Sequence, residues 1–168
     1  MHTEQDRAWM QAALAEAALA EAADEVPIGA VVVLDEQIIG RGHNTPIATT
    51  DPTAHAEIQA VRHAALYMKN YRLVDATLYT TVEPCLMCMG ALLYARVKRL
   101  VFGCFDPKAG AAGSLYNIAL DTRLNHRLDI TSGVCEEECR TLLQGFFREK
   151  RQRVTRADPS LRLSGNRL

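Results

Sequence analysis

The 168-residue sequence contains no stretch approaching the roughly 18 uncharged apolar residues of a membrane span. It also lacks a signal region, because the N-terminus is acidic and alanine-rich, with no basic segment leading into an apolar core. These absences set the expectation of a cytoplasmic protein with no membrane partner. Cysteine comes in an odd count, five, which without an export signal argues against a disulfide framework and leaves some thiols for metal or catalytic use. Net charge is nearly absent too, −1 overall, which by itself argues against a strongly electrostatic nucleic-acid binder. No internal repeat is present.

What is there fits one ordinary domain, with 48% hydrophobic and 23% charged residues providing for a real core. The charge is unevenly placed. Residues 1–36 hold eight acids against the single Arg7, whereas residues 148–168 hold seven Lys and Arg against Glu149 and Asp158. The near-zero total hides a basic C-terminal end.

Ala, Leu, Glu and Gln dominate from Thr3 to about Ala23, predicting a first helix that Pro27 closes off. Ile28–Val33 and Gln37–Arg41 are β-branched runs around the polar turn Leu34-Asp35-Glu36, the pattern of an antiparallel hairpin. Helices are expected over Thr53 to about Tyr67 and Leu86–Tyr94, and strands over Thr77–Val82 and Arg99–Gly103. After the loop Gly110-Ala111-Ala112-Gly113 come a further strand at Arg127–Thr131 and an amphipathic helix from about Glu136 to Arg153. Strands joined through helices pair in parallel by right-handed crossovers, so the expected α/β fold is a mixed sheet of about five strands with helices on both faces. The domain is expected to span 1–157, with 158–168 a disordered tail.

Pro52-Thr53-Ala54-His55-Ala56-Glu57 opens one helix, and Glu83-Pro84-Cys85-Leu86-Met87-Cys88 opens another about thirty residues later. Cys85 and Cys88 are three apart, so on a first helical turn their sulfurs share a face, the bite a tetrahedral ion needs. Helix N-termini favour the thiolate that coordinates metal, and a soft thiolate pair selects zinc. With His55 the protein ligands number three, leaving a fourth position for water, as a catalytic site requires. Two thiolates cancel the ion's charge and weaken its effect on water, which makes a nearby general base useful. Glu57 is that candidate base and not a ligand. At a helix start it can converge with His55, take the water's proton and return protons to the base and departing ammonia. The bland alternatives are buried thiols, or a purely structural zinc with Glu57 on the surface.

Together with Asn70–Tyr79, Phe102-Gly103 and Asp106–Ser114, these motifs resemble the cytidine and deoxycytidylate deaminase superfamily, and within it the bacterial tRNA-specific adenosine deaminases. The similarity runs from about Ala8 to Arg153 and implies a three-layer cytidine-deaminase-like fold. It further implies one zinc per subunit, a homodimer, and hydrolytic deamination of adenosine to inosine at the wobble position of an arginine tRNA, with water attacking C6 of the flipped adenine. By the same resemblance Asn44 would hydrogen-bond the flipped base, and Ile28, Pro46 and the Ala54 backbone would shape its pocket. Asp106, Lys108, Ser114, Asn125, His126, Arg148 and Arg151 would meet the anticodon stem-loop. Phe146-Phe147-Arg148 followed by Lys150, Arg151 and Arg153 supports this with stacking surfaces beside phosphate-binding charge, although the same residues also suit a core-facing helix with a solvated tail. Lys69, Tyr71 and Arg72 form a second basic-aromatic cluster that could equally begin a packed connection. Cys104, Cys135 and Cys139 read as buried or unpaired thiols, and His2, His43 and His63 as structural or exposed. Cys104-Phe105 before Asp106 departs from the family pattern. Two other functions compete: a guanine or other free-base deaminase using the same zinc site, and a zinc-stabilised RNA-binding module without turnover.

Overall fold

The computed structural model describes residues 3–157. Helix α1 (Glu4–Ala22) starts on Thr3, whose hydroxyl accepts the Asp6 N–H at 2.9 Å. Strands β1 (Gly29–Leu34) and β2 (Gln37–His43) form the expected antiparallel hairpin. Its turn residues Asp35 and Glu36 both sit at positive φ, 48° and 58°, the backbone of the two-residue turn whose twist suits a hairpin. Then come α2 (Pro46–Thr49), α3 (Ala56–Met68), β3 (Thr77–Val82), α4 (Leu86–Tyr94) and β4 (Arg99–Cys104). A 3₁₀ turn at Ile118–Leu120, β5 (Asp129–Ser132) and α5 (Glu136–Ala157) complete the chain.

The strands lie in the order β2-β1-β3-β4-β5, antiparallel on the hairpin side and parallel from β3 to β5. Helices α3 and α4 cover one face, packing Ala60, Met89 and Leu92 on Val32, Leu78 and Leu100. Helices α1 and α5 cover the other, where Met10 and Cys139 meet Val31, Tyr79 and Val101. This is the three-layer, cytidine-deaminase-like arrangement with a mixed sheet of five strands.

Glycine sets how closely α3 approaches. A Cβ on Gly42 would lie 2.3 Å from the Ala56 carbonyl oxygen, and one on Gly40 2.2 Å from that of Ala60. The first turn of α3 therefore rests directly on β2, which fixes where His55 and Glu57 stand. On the other face, Arg99 donates to both Asp6 oxygens at 2.8 and 3.0 Å while the Tyr79 hydroxyl donates to Asp6 Oδ1 at 2.9 Å, pinning α1 to β3 and β4.

The boundaries depart from expectation in places with local causes. Helix α3 begins at Ala56 and not at Thr53, because Asp51 Oδ1 accepts both the Thr53 N–H and its hydroxyl and holds that stretch as a turn. Strand β5 is a short edge strand starting at Asp129, and α5 continues to Ala157. The one-turn α2 and the 3₁₀ turn carried no periodic signal. No helix among the described residues is long and apolar enough to cross a membrane. The tail expected over 158–168 lies outside the described residues.

Candidate active site

His55 and Cys85 occupy equivalent places: each is the extended residue just before a helix, α3 and α4 respectively, and Cys88 lies in the first turn of α4. The two helix starts meet, and the His55, Cys85 and Cys88 ligand atoms all lie within 4.8 Å of one another. His55 Nδ1 is 3.7 Å from Cys85 Sγ and 3.6 Å from Cys88 Sγ. For zinc with S at about 2.3 Å and N at about 2.05 Å, tetrahedral angles require an N–S separation of about 3.6 Å. The residues present therefore fit such an ion. Among the described residues this is the one cluster of its kind.

Glu57 is in the first turn of α3 and only 4% exposed. Burial pushes its carboxyl up to about 7, and the neighbouring Cys85 pushes it the same way. The thiols share their protons unequally. A hydrogen bond from Cys88 holds Cys85 down to about 4, with His55 helping, while Cys88 is correspondingly raised. The Cys85 hydrogen bond in turn raises His55. A thiolate, an imidazole and a buried carboxyl able to exchange a proton near neutrality thus stand together.

Asn44 follows β2 and is 5% exposed. Its Oδ1 accepts the Ala56 N–H at 2.9 Å, satisfying a free amide at the start of α3, so Nδ2 is the group left to meet a ligand. Ala54 is buried, and its carbonyl accepts from Thr45 N–H at 3.0 Å, next to Pro46 at the start of α2.

Ile28, Asp106, Lys108, Phe147, Arg148 and Arg151 line one groove of about 930 Å³. Asn125 and His126 are elsewhere, in a cleft of about 320 Å³ that also contains Tyr71, Arg72 and Arg96. His126 Nε2 is 2.7 Å from the Val97 carbonyl, and the Arg72 guanidinium lies 5.5 Å from the centre of the Tyr71 ring. The basic residues of α5 divide by face. Lys150 and Arg153 bind Asp24 at the end of α1, whereas Arg148 and Arg151 border the groove. The paired phenylalanines divide likewise: Phe146 is 7% exposed beneath Lys150, and Phe147 is 41% exposed.

Of the other histidines, His43 Nδ1 is 3.2 Å from Glu16, and His63 Nδ1 is 2.6 Å from the Arg41 carbonyl. Cys104 and Cys139 are buried and all five thiols are unpaired. One residue with a substantial role drew no attention in the sequence. Glu83, next to Pro84-Cys85, is 3% exposed and gathers the loop that carries Asp106 and Lys108.

A three-layer sheet with a His/Cys/Cys cluster and a buried glutamate at two helix starts defines the class of nucleobase deaminases. Residues 4–151 match the family model of the MafB19-like deaminases. A tRNA-specific adenosine deaminase of Haemophilus influenzae is 50% identical over 153 residues, 90% of this chain and 88% of that protein. A solved structure from studies of A-to-I editing by tRNA:A34 deaminases at the wobble position of transfer RNA superposes with TM-score 0.79 at 43% identity, covering 81% of this chain and 99% of that one. A guanine deaminase from Bacillus subtilis gives TM-score 0.59 at 38% identity over 68% of this chain and 71% of its own. The chain belongs to the tRNA-specific adenosine deaminase family.

Proposed function

We propose that this chain is a hydrolase that converts adenosine to inosine at the wobble position of a tRNA anticodon, with arginine tRNA as substrate and zinc held by His55, Cys85 and Cys88. The observation that carries the reading is the ligand triad at tetrahedral spacing beside buried Glu57, in a chain half identical to a tRNA-specific adenosine deaminase. Zinc, when bound, supplies a Lewis acid that lets water lose a proton near neutrality. Glu57 takes that proton on its carboxylate and delivers it to a ring nitrogen of the adenine, then takes the proton remaining on the oxygen added at C6 and passes it to the amine that leaves as ammonia, so adenosine plus water gives inosine plus ammonia. Its burial suits the task, since a carboxyl near 7 both accepts and releases a proton at neutral pH. Asn44, with Oδ1 engaged by Ala56, can offer the base only a donor, which matches a ring nitrogen acceptor. Arg148 and Arg151 with exposed Phe147 give the groove phosphate-binding charge and a stacking surface.

A homodimer is part of the same reading. Leu66 and Tyr67 of α3 and Leu86 and Tyr94 of α4 are each exposed, Tyr94 to 85%, and a second copy of the chain would give these apolar side chains a partner. Unpaired thiols suit the reducing cytoplasm, where the substrate is made.

The deciding experiment is incubation of the purified chain with unmodified arginine tRNA followed by nucleoside analysis. Inosine is expected from the wild type, and Glu57→Ala is expected to abolish it with zinc still bound. The guanine deaminase likeness supports a second substrate reading, and ammonia released from guanine as fast as inosine forms in tRNA would favour it. A binding module without turnover predicts no product from either substrate.

A further inference from the structure

Glu83 ends β3's approach to the metal ligands, and its carboxylate has no cation partner among the described residues. Oε1 instead accepts the N–H groups of Ala112 and Ser114, both at 2.9 Å, while Oε2 accepts the Asp106 N–H at 3.0 Å and the Ser114 hydroxyl. All four donors come from one loop, 106–114. The same loop is held from outside the side chain as well, because Ala111 N–H donates to the Pro84 carbonyl at 2.9 Å and Gly110 bridges to Cys85. Contact is so close that a Cβ on Gly110 would lie 2.2 Å from Glu83 Oε2.

Four donors on one buried carboxyl group replace the hydration it loses on burial. The arrangement has a direction: Glu83 is anchored by its neighbours Pro84 and Cys85, and the loop is what it gathers. That loop presents Asp106 and Lys108 to the groove shared with Arg148 and Arg151. Asp106 is also internally braced, its Oδ1 accepting from Lys108 N–H at 2.9 Å and Ala109 N–H at 3.2 Å.

We propose that Glu83 is a positioning residue for RNA, tying the 106–114 loop to the start of α4 so that Asp106 and Lys108 stand at a fixed distance from the metal ligands. The proposal rests on the reading of the chain as a tRNA deaminase. It also gives Ser114 a place in the cradle, since its hydroxyl and amide are both engaged by Glu83.

Glu83→Gln tests it with almost no change of shape. The new NH₂ is best tolerated at the Oε2 position, where Ser114 can turn its hydroxyl to accept but the Asp106 N–H loses its acceptor. In the zinc-loaded full chain we expect KM for arginine tRNA to rise about tenfold with kcat within about twofold of wild type, the size of one lost charge-assisted hydrogen bond. Zinc per chain should stay unchanged, and amide exchange should quicken over 105–116 but not in α3. Gly110→Ala displaces the same carboxylate from the loop side and should reproduce the pattern, so it decides the matter if Glu83→Gln does not fold. Unchanged KM in the variants that fold, a fall in kcat alone, or loss of zinc would each overturn the proposal. Failure of the wild type to make inosine sinks the functional reading instead. Direct RNA affinity in a Glu57→Ala background, with and without Glu83→Gln, then still decides the role of Glu83: a tenfold weakening upholds it and equal affinity refutes it.

Discussion

Substitution of Gly42 by alanine tests how the sheet positions the chemistry. The added Cβ would sit 2.3 Å from the Ala56 carbonyl oxygen and 2.5 Å from the Ala60 nitrogen, where ordinary contact begins at 3.4 Å. Both are backbone atoms of α3, so no side chain can swing aside, and the first turn must retreat by about 1.1 Å. That turn begins at His55 and carries Glu57, and its first amide is held by Asn44. Metal sites tolerate shifts of about 0.2 Å, and a misplacement of about 1 Å costs roughly 100-fold in rate. Gly40→Ala supplies the control. It makes the same kind of clash, 2.2 Å from the Ala60 carbonyl, but about 6 Å further along the helix. Both variants should lose roughly 1–3 kcal/mol in urea unfolding. Only Gly42→Ala should also lose zinc at limiting metal and about 100-fold in kcat. Equal kcat losses in the two variants, or none in Gly42→Ala, would show that close packing of α3 on β2 does not set the site.

The Asp6 network gives a pH signature. Burial alone would raise this carboxyl, but hydrogen bonds from Arg99 and Tyr79 outweigh it and hold the pKa at about 2 against an ordinary 3.8. A depressed folded-state pKa contributes stability above the unfolded value that is lost as pH falls toward the folded one, here from about 4 toward 2. The ionised carboxyl is then worth about 2.4 kcal/mol at pH 7 and about 1.3 kcal/mol at pH 3. The urea-unfolding gap between wild type and Asp6→Asn should shrink by that difference, and a gap independent of pH would refute the account. Asn44→Asp keeps the acceptor for the Ala56 N–H but removes the Nδ2 donor, so zinc content should hold while kcat/KM falls about 10–100-fold; parallel loss of zinc would mean that the cap had failed. Gly145→Ala, inside α5 with nothing within 4 Å of the new Cβ, should stabilise the protein by up to about 1 kcal/mol in thermal unfolding, and destabilisation would point to a packing partner for that face.

The meeting of His55, Cys85 and Cys88 was legible in the sequence because its signal is local. Cys85 and Cys88 are three apart at a helix start, which puts their sulfurs on one face, and His55 with Glu57 open the other helix, where the end of the helix lets both side chains turn the same way. The hairpin and the alternation of strand and helix were legible for the same reason. The role of Glu83 was not, since its partners lie 23 to 31 residues further on and its place beside Pro84-Cys85 says nothing of them. A signal did exist for the division of α5. Residues 144, 147, 148 and 151 recur at three and four, as groove-lining residues of one helix face must, while Phe146, Lys150 and Arg153 fall on another. Treating the basic run as one patch obscured that periodicity.

The same distinction explains why substrate was harder to read than reaction. His55, Cys85, Cys88 and Glu57 belong to the starts of α3 and α4, whereas Arg148, Arg151, Asp106 and Lys108 reach their groove from α5 and the 106–114 loop. A guanine deaminase at 38% identity shares the fold, so the first set of elements can serve more than one purine. Discrimination must then come from surfaces assembled by contacts distant in sequence, and Glu83 is a carboxylate that ties the 106–114 loop to the start of α4. If that link is what makes a general purine chemistry answer to RNA, damage to it should raise KM and spare kcat. Damage at Gly42, beneath the first turn of α3, should do the reverse.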